Sequence, residues 1–216
     1  MPPEQHESKQ GKIIAVIGSI GSGKSTLVRA LHANFQVQVF LEGETDTFPE
    51  FVKRNIASGQ NGLQTQLHFF SQTIDQYLDA LALKRAGEDV IIDTFWLSNL
   101  FFLHTALPDQ VEHALFERLL AWAERVFPQP DATIVLDAPD DLLIERIKER
   151  NRAFETGAAD VSIDVARRYD AYFSSRENRD KHRAVMIDAS DVDVRAIGEK
   201  MGLKSRIEAL VAPVPL

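Results

Sequence analysis

Five short apolar runs divide the chain, at residues 12–17, 37–41, 88–93, 132–136 and 184–187. Unbroken runs of this length, bounded by turn residues, predict strands covered on both faces rather than strands with one wet side. Between them the apolar positions step by three and four, the period of a helix with one buried stripe. Leu27, Leu31 and Phe35 form one such stripe. Leu63, Leu67, Phe70, Ile74, Leu78 and Leu81 predict a long helix, and Leu115, Leu119, Trp122 and Val126 another. Leu143, Ile144 and Ile147 mark a further helix, and Val165, Tyr169 and Phe173 place one over residues 162–176. The stretch 95–107, with Phe95, Trp96, Leu97, Leu100, Phe101, Phe102 and Leu103, carries more apolar surface than one stripe needs. It reads either as a fully buried helix or as part of a pocket or subunit contact. Pro108, Pro128 and Pro130 interrupt the helical pattern. Strands alternating with helices predict a three-layer α/β fold around a five-stranded, mainly parallel sheet. Residues 1–10 lack any periodicity and read as a flexible leader, 11–210 as a single domain and 211–216 as a tail.

Composition narrows the function classes. Lys and Arg total 24 against 32 Asp and Glu, a net charge of −8 over 216 residues, so the chain is not expected to bind a nucleic-acid polymer. Any anion site must be a local concentration of positive charge. Cysteine is absent and the six histidines show no ligand spacing, which removes disulfides, thiolate catalysis and most structural zinc sites. No apolar run approaches the ~20 residues that span a bilayer, and the start of the chain has no signal-peptide core. The expectation is a cytoplasmic protein without a membrane partner.

The chemistry concentrates after the first strand. Gly18-Ser19-Ile20-Gly21-Ser22-Gly23-Lys24-Ser25 fits G-x-x-x-x-G-K-[ST] and lies between a predicted strand and an amphipathic run that starts at Thr26. Glycines allow backbone N–H groups to converge on a polyphosphate, and the helix start adds partial positive charge. Lys24 is placed to reach the β- and γ-phosphates and Ser25 to hold Mg2+, with ATP as phosphoryl donor. Glu42, at the end of the second strand, is a candidate general base and equally a solvated loop carboxylate. Asp93 closes the third strand; it is a candidate to help hold the metal, or the N-cap of a helix from Thr94 onward. Arg146 and Arg150 share one helix side, with Arg152 just beyond. They read as a clamp on the transferring phosphate or, since Glu145 and Glu149 alternate with them, as an ordinary charged face. Gly157-Ala158-Ala159 is a flexible exit, making about 146–159 a candidate helical lid.

Several stretches together resemble the deoxynucleoside kinase family of P-loop kinases. They are Ile13 through Leu27, Leu63-Gln64-Thr65-Gln66-Leu67, and Glu145-Arg146-Ile147-Lys148-Glu149-Arg150-Asn151-Arg152-Ala153-Phe154-Glu155. The resemblance implies transfer of the γ-phosphoryl of ATP to the 5′-hydroxyl of a deoxynucleoside, purines being favoured. It implies the base held by Gln64, the sugar partly by Glu155, Glu42 as catalytic base, and a homodimer through helices. Three positions depart from the family pattern. Thr94 follows Asp93 where the family carries an arginine, Gly43 follows Glu42 where it carries a proline, and only Phe48, Phe51 and Val52 are available where it carries a tyrosine. A kinase of another small hydroxylated metabolite or of a nucleoside monophosphate fits the same motifs. So does a nucleotide-binding regulator without small-molecule kinase activity.

Overall fold

The computed structural model describes residues 10–35, 37–41, 48–150 and 158–190, and the statements below concern these residues. Strand β1 is Ile13–Gly18, helix α1 Lys24–Phe35 and strand β2 Gln38–Phe40. Helices α2 (Glu50–Ser58) and α3 (Gly62–Arg85) come next, then β3 (Val90–Asp93), a 3-10 turn Trp96–Ser98, α4 (Asn99–Ala106) and α5 (Gln110–Val126). The remainder is β4 (Ala132–Asp137), α6 (Asp140–Arg150), α7 (Ala158–Ser174), α8 (Arg176–His182) and β5 (Ala184–Asp188).

The five strands pair in the order β2-β3-β1-β4-β5, and every pair is parallel. Alternation along the strands sorts side chains into two cores. Ile13, Ala15 and Ile17 of β1, Val90 and Ile92 of β3 and Val135 of β4 join the larger cluster, with Tyr77, Phe95, Trp96, Phe101, Phe116, Tyr169 and Phe173. Val16, Ile91, Ile134, Leu136 and Ile187 point to the other face and pack on Leu27, Val28 and Leu31 of α1. Burial on both faces is why the strand sequences are continuously apolar. Successive strands leave β1 on both sides, and this reversal opens a crevice at its carboxyl end, where open parallel sheets hold ligands.

Helix identity and helix face separate in the structure. On α3 the buried side chains are Thr65, Gln66, Phe70, Thr73, Tyr77, Ala80 and Leu81, whereas Leu67 and Leu78 of the expected stripe are exposed. On α5 the core takes Phe116, Leu120 and Ala123, and the expected residues Leu115, Trp122 and Val126 face outward. Both helices carry apolar residues on two faces, and the face that fills the larger core is the buried one. Residues 95–107 form an extended residue, a 3-10 turn and a short helix rather than one helix. The helix expected over 162–176 is α7 followed by a separate α8, which starts where the Ser175 hydroxyl accepts from the Asn178 N–H. Helix α2, with Pro49 before it and Gly59 in the left-handed conformation after it, was not expected.

Candidate active site

The loop between β1 and α1 wraps the carboxyl end of the central strand. Gly21 has φ +83°, and a Cβ there would lie 3.2 Å from Ile147 Cγ1 and 3.3 Å from the Leu143 carbonyl oxygen. Only glycine accepts both the conformation and the approach of α6. The Lys24 ammonium donates to the Ser19 carbonyl at 3.0 Å, so it lies across the loop it belongs to. Arg146 braces the loop from α6. Its Nη1 donates to the Ser22 carbonyl at 3.1 Å and the Gly21 carbonyl at 3.5 Å, and its Nη2 to the Ala189 carbonyl at 3.3 Å. Ser162 of α7, fully buried, donates its hydroxyl to the Ile20 carbonyl. Fixing the carbonyls outward leaves the loop's N–H groups to converge on a phosphate.

Asp93 stands beside the loop because β3 pairs with β1 and its register sets Asp93 against Val16. Ser25 Oγ donates to Asp93 Oδ2 at 2.5 Å. Asp93 Oδ1 is buried with no protein hydrogen-bond partner. Burial pushes the Asp93 carboxyl above its usual range, while Lys24, the Ser25 hydroxyl and Arg29 draw it back. One hydroxyl and one carboxylate at a single point suit a hard divalent cation that takes its other ligands from water and phosphate. Asp93 does not cap a helix, because the two residues directly after it are not helical and the 3-10 turn starts only at Trp96. Thr94 has φ +76°, its N–H donates to the Val16 carbonyl at 2.9 Å, and Phe95 is extended. A β-branched residue in the left-handed region is strained, and such strain collects at functional sites.

The other expected positions are spread over several elements. Gly18, Ser19, Ile20, Gly21, Ser22, Gly23, Lys24, Ser25 and Thr26 form the loop and the first turn of α1. Arg146 and Arg150 both lie on α6, with Arg146 against the loop and Arg150 exposed one turn further on. Gln64 is exposed in the first turn of α3, and its Oε1 accepts from Asn55 Nδ2 at 3.0 Å. Glu42, Arg152 and Glu155 lie outside the described residues, as do residues 1–9 of the leader, the tail and residues 151–157 of the expected lid. Ser162 and Asn55 gave no sequence signal, and Thr94 gave none beyond standing where the family pattern has an arginine. A serine in a helix, a threonine after an aspartate and an asparagine in an unpredicted helix each acquire their contacts only when distant segments meet.

Known proteins resemble this chain in sequence and in fold. A family model described as deoxynucleoside kinase matches residues 14–211. A deoxyadenosine kinase of Dictyostelium discoideum is 28% identical over 174 residues, 78% of this chain and 68% of that protein. A protein named probable thymidylate kinase from Archaeoglobus fulgidus is 26% identical over 186 residues, 82% of this chain and 87% of its own. Among solved structures, deoxyadenosine kinase from M. mycoides with dCMP and a flexible dCDP bound superposes with a TM-score of 0.75 at 19% identity. That alignment covers 91% of this chain and 99% of the other. By its phosphate loop, its sheet order and the family match over nearly its whole length, the chain belongs to the deoxynucleoside kinase family, phosphotransferases with an alcohol acceptor.

Proposed function

We propose that the protein transfers the γ-phosphoryl group of ATP to the 5′-hydroxyl of a deoxynucleoside, purines being preferred, and that it does so in the cytoplasm as a homodimer. The observation that carries this reading is the Ser25–Asp93 contact beside the phosphate loop. It joins the polyphosphate cradle to a buried carboxylate on the strand that borders the acceptor side of the crevice. In the reaction the bond from the γ-phosphorus to the β–γ bridging oxygen breaks and the acceptor oxygen bonds to that phosphorus. The hydroxyl proton passes to Glu42, and ADP leaves. Ser25 and Asp93 are the residues to hold Mg2+, which when bound neutralises charge on the phosphate oxygens. Lys24 binds the β- and γ-phosphates, Arg146 keeps the loop in its binding shape, and Arg150 and Arg152 supply guanidiniums to the transferring group. Gln64 reads the base and Glu155 holds the sugar. Positioning and charge neutralisation provide most of the rate.

The dimer reading is supported by α5, where Val111, Leu115, Trp122 and Val126 form an exposed apolar stripe. A second copy of the same face would cover it in an isologous contact. Among the described residues no helix is long and apolar enough to cross a membrane. A second reading, transfer to a nucleoside monophosphate, is favoured by the relatives named probable thymidylate kinases.

A panel of common deoxynucleosides, ribonucleosides and monophosphates, each with ATP and Mg2+, separates the two. The 5′-monophosphate of a deoxynucleoside is the expected product. A dead deoxynucleoside panel overturns the reading, and turnover of monophosphates alone replaces it with the second. On the active acceptor, Glu42→Gln is expected to lower kcat by about 10²- to 10⁴-fold with ATP affinity nearly intact.

A further inference from the structure

The corner between α4 and α5 brings two histidines together. His104 lies in the last turn of α4 and His113 in the first turn of α5. Their ring centres stand 4.7 Å apart with the planes tilted by 55°. His104 is exposed and His113 partly buried. The corner that carries them is fixed from three sides. Asp109 caps α5 by accepting from the N–H groups of Val111 and Glu112. The start of α3 sits tight against the end of α4, where a Cβ on Gly62 would lie 1.8 Å from the Ala106 carbonyl oxygen. Thr105 Oγ1 donates to Asp164 Oδ2 at 3.4 Å and ties the same end to α7.

Hydrogen bonding decides which ring nitrogen is available. His113 Nδ1 lies 3.3 Å from the Leu107 carbonyl oxygen. A carbonyl only accepts, so Nδ1 carries the proton and the neutral ring keeps its lone pair on Nε2. That nitrogen faces the Glu117 carboxylate, with Nε2 3.6 Å from Oε1. A lone pair and a carboxylate oxygen turned toward each other repel unless a positive charge, a proton or a metal ion, stands between them. An Nδ1–H held by a backbone carbonyl is also how ligating imidazoles are oriented.

The spacing of the rings fits a shared ion. An imidazole nitrogen binds zinc at about 2.0–2.1 Å, which puts the ring centre roughly 3.2 Å from the ion. Two rings on one ion at square or tetrahedral angles then have centres about 4.5–5.2 Å apart, and the observed separation falls inside that range. Among the described residues no three His, Cys, Asp or Glu side chains converge on one point. The site therefore rests on the two imidazoles, with water in the remaining positions and the Glu117 carboxylate beside it to offset charge.

We propose that His104 and His113 chelate a divalent transition ion of the zinc class, at a site separate from Ser25 and Asp93, and that the ion clamps the α4–α5 corner. Neutral imidazoles select such ions over Mg2+, which prefers oxygen.

The test uses the full chain, stripped of metal by a chelator that is then removed. Zn2+ is titrated by calorimetry into wild type, His104→Ala, His113→Ala and, as a control on α1, His32→Ala. Wild type is expected to bind Zn2+ one to one, and excess Mg2+ should not displace it. Either substitution at the corner should weaken binding by about 10- to 100-fold or more, and His32→Ala should leave it unchanged. With Cu2+ in place of Zn2+, electron paramagnetic resonance should show two nitrogen ligands in wild type and one in either corner variant. His104→Ala, on an exposed side chain, decides the outcome even where His113→Ala does not fold. Wild type that binds no Zn2+, or an affinity within threefold of wild type in either corner variant, overturns the proposal. A copper spectrum unchanged by the substitutions overturns it as well.

Discussion

Thr94 is where a single residue's conformation has the plainest consequence. Its positive φ turns the chain sharply after Asp93 and lets Phe95 and Trp96 drop into the larger core. Holding a non-glycine residue there costs on the order of 1–3 kcal/mol. Thr94→Gly removes the strain but adds freedom to the unfolded chain, so the net expectation is a stabilisation of about 1 kcal/mol. Urea unfolding of Thr94→Gly beside Thr94→Val measures it, and a less stable glycine variant would show that the turn is not strained. At this scale the sequence was informative where the chemistry is local. Gly18 to Ser25 are contiguous, so the loop was legible. Asp93 was legible as a strand-closing acid, but not as the partner of Ser25 rather than a cap. Asn55 was illegible, because its meaning depends on Gln64 and Asn61 approaching from beyond its own helix.

Helices raise a different ambiguity, since α5 carries two apolar stripes on different sides. Phe116, Leu120 and Ala123 satisfy helical spacing as well as Leu115, Leu119, Trp122 and Val126 do. Periodicity registers both and cannot say which joins the core. Phe116 is fully buried and its ring stands 5.5 Å from that of Phe70, edge to face. Phe116→Ala is therefore expected to destabilise by about 3–5 kcal/mol, and Leu115→Ala by about 0.5 kcal/mol or less, in thermal or urea unfolding. The reverse order would put the core on the other face. On the proposed homodimer, Trp122→Glu should leave the fold intact and give monomers in light scattering coupled to size exclusion; wild type that already runs as a monomer overturns the dimer reading. Helix α2 escaped notice because only Val52 among its apolar residues is fully buried. Its flanks, Pro49 and Gly59, are nonetheless the punctuation of a short helix.

Across the whole molecule, one buried cluster links α7, α8 and the turn before β4. His182 is fully buried; its Nε2 pairs with the Tyr172 hydroxyl at 2.9 Å and its Nδ1 with Gln129 Oε1 at 3.0 Å. Burial first, and the neighbouring Lys181 ammonium second, push its pKa down to about 4. The Glu124 carboxylate, paired with Lys181, works against this shift. The unfolded chain titrates near 6.5 and so binds more protons between those values. Stability is then full above pH 6.5 and falls as the pH drops toward 4, by at most about 3 kcal/mol from this residue. Asp93, raised by burial, acts in the opposite direction. The difference between wild type and His182→Gln in urea unfolding from pH 7.5 to pH 4.5 isolates the histidine. A slope unchanged by the substitution would mean that the imidazole is already charged or solvated in the fold.

Composition, the glycine loop and the five apolar runs determined the layer architecture, the nucleotide cradle and the exclusion of thiol chemistry. Each depends on residues adjacent in the chain or on a period that one strand or helix carries by itself. Strand order, the helix faces that meet the core, the bracing of the loop by Arg146 and Ser162, and the contact between Asn55 and Gln64 were decided only by tertiary structure. Those contacts join residues 9 to 142 positions apart. Their energy comes from burying both partners at once, which no local pattern encodes.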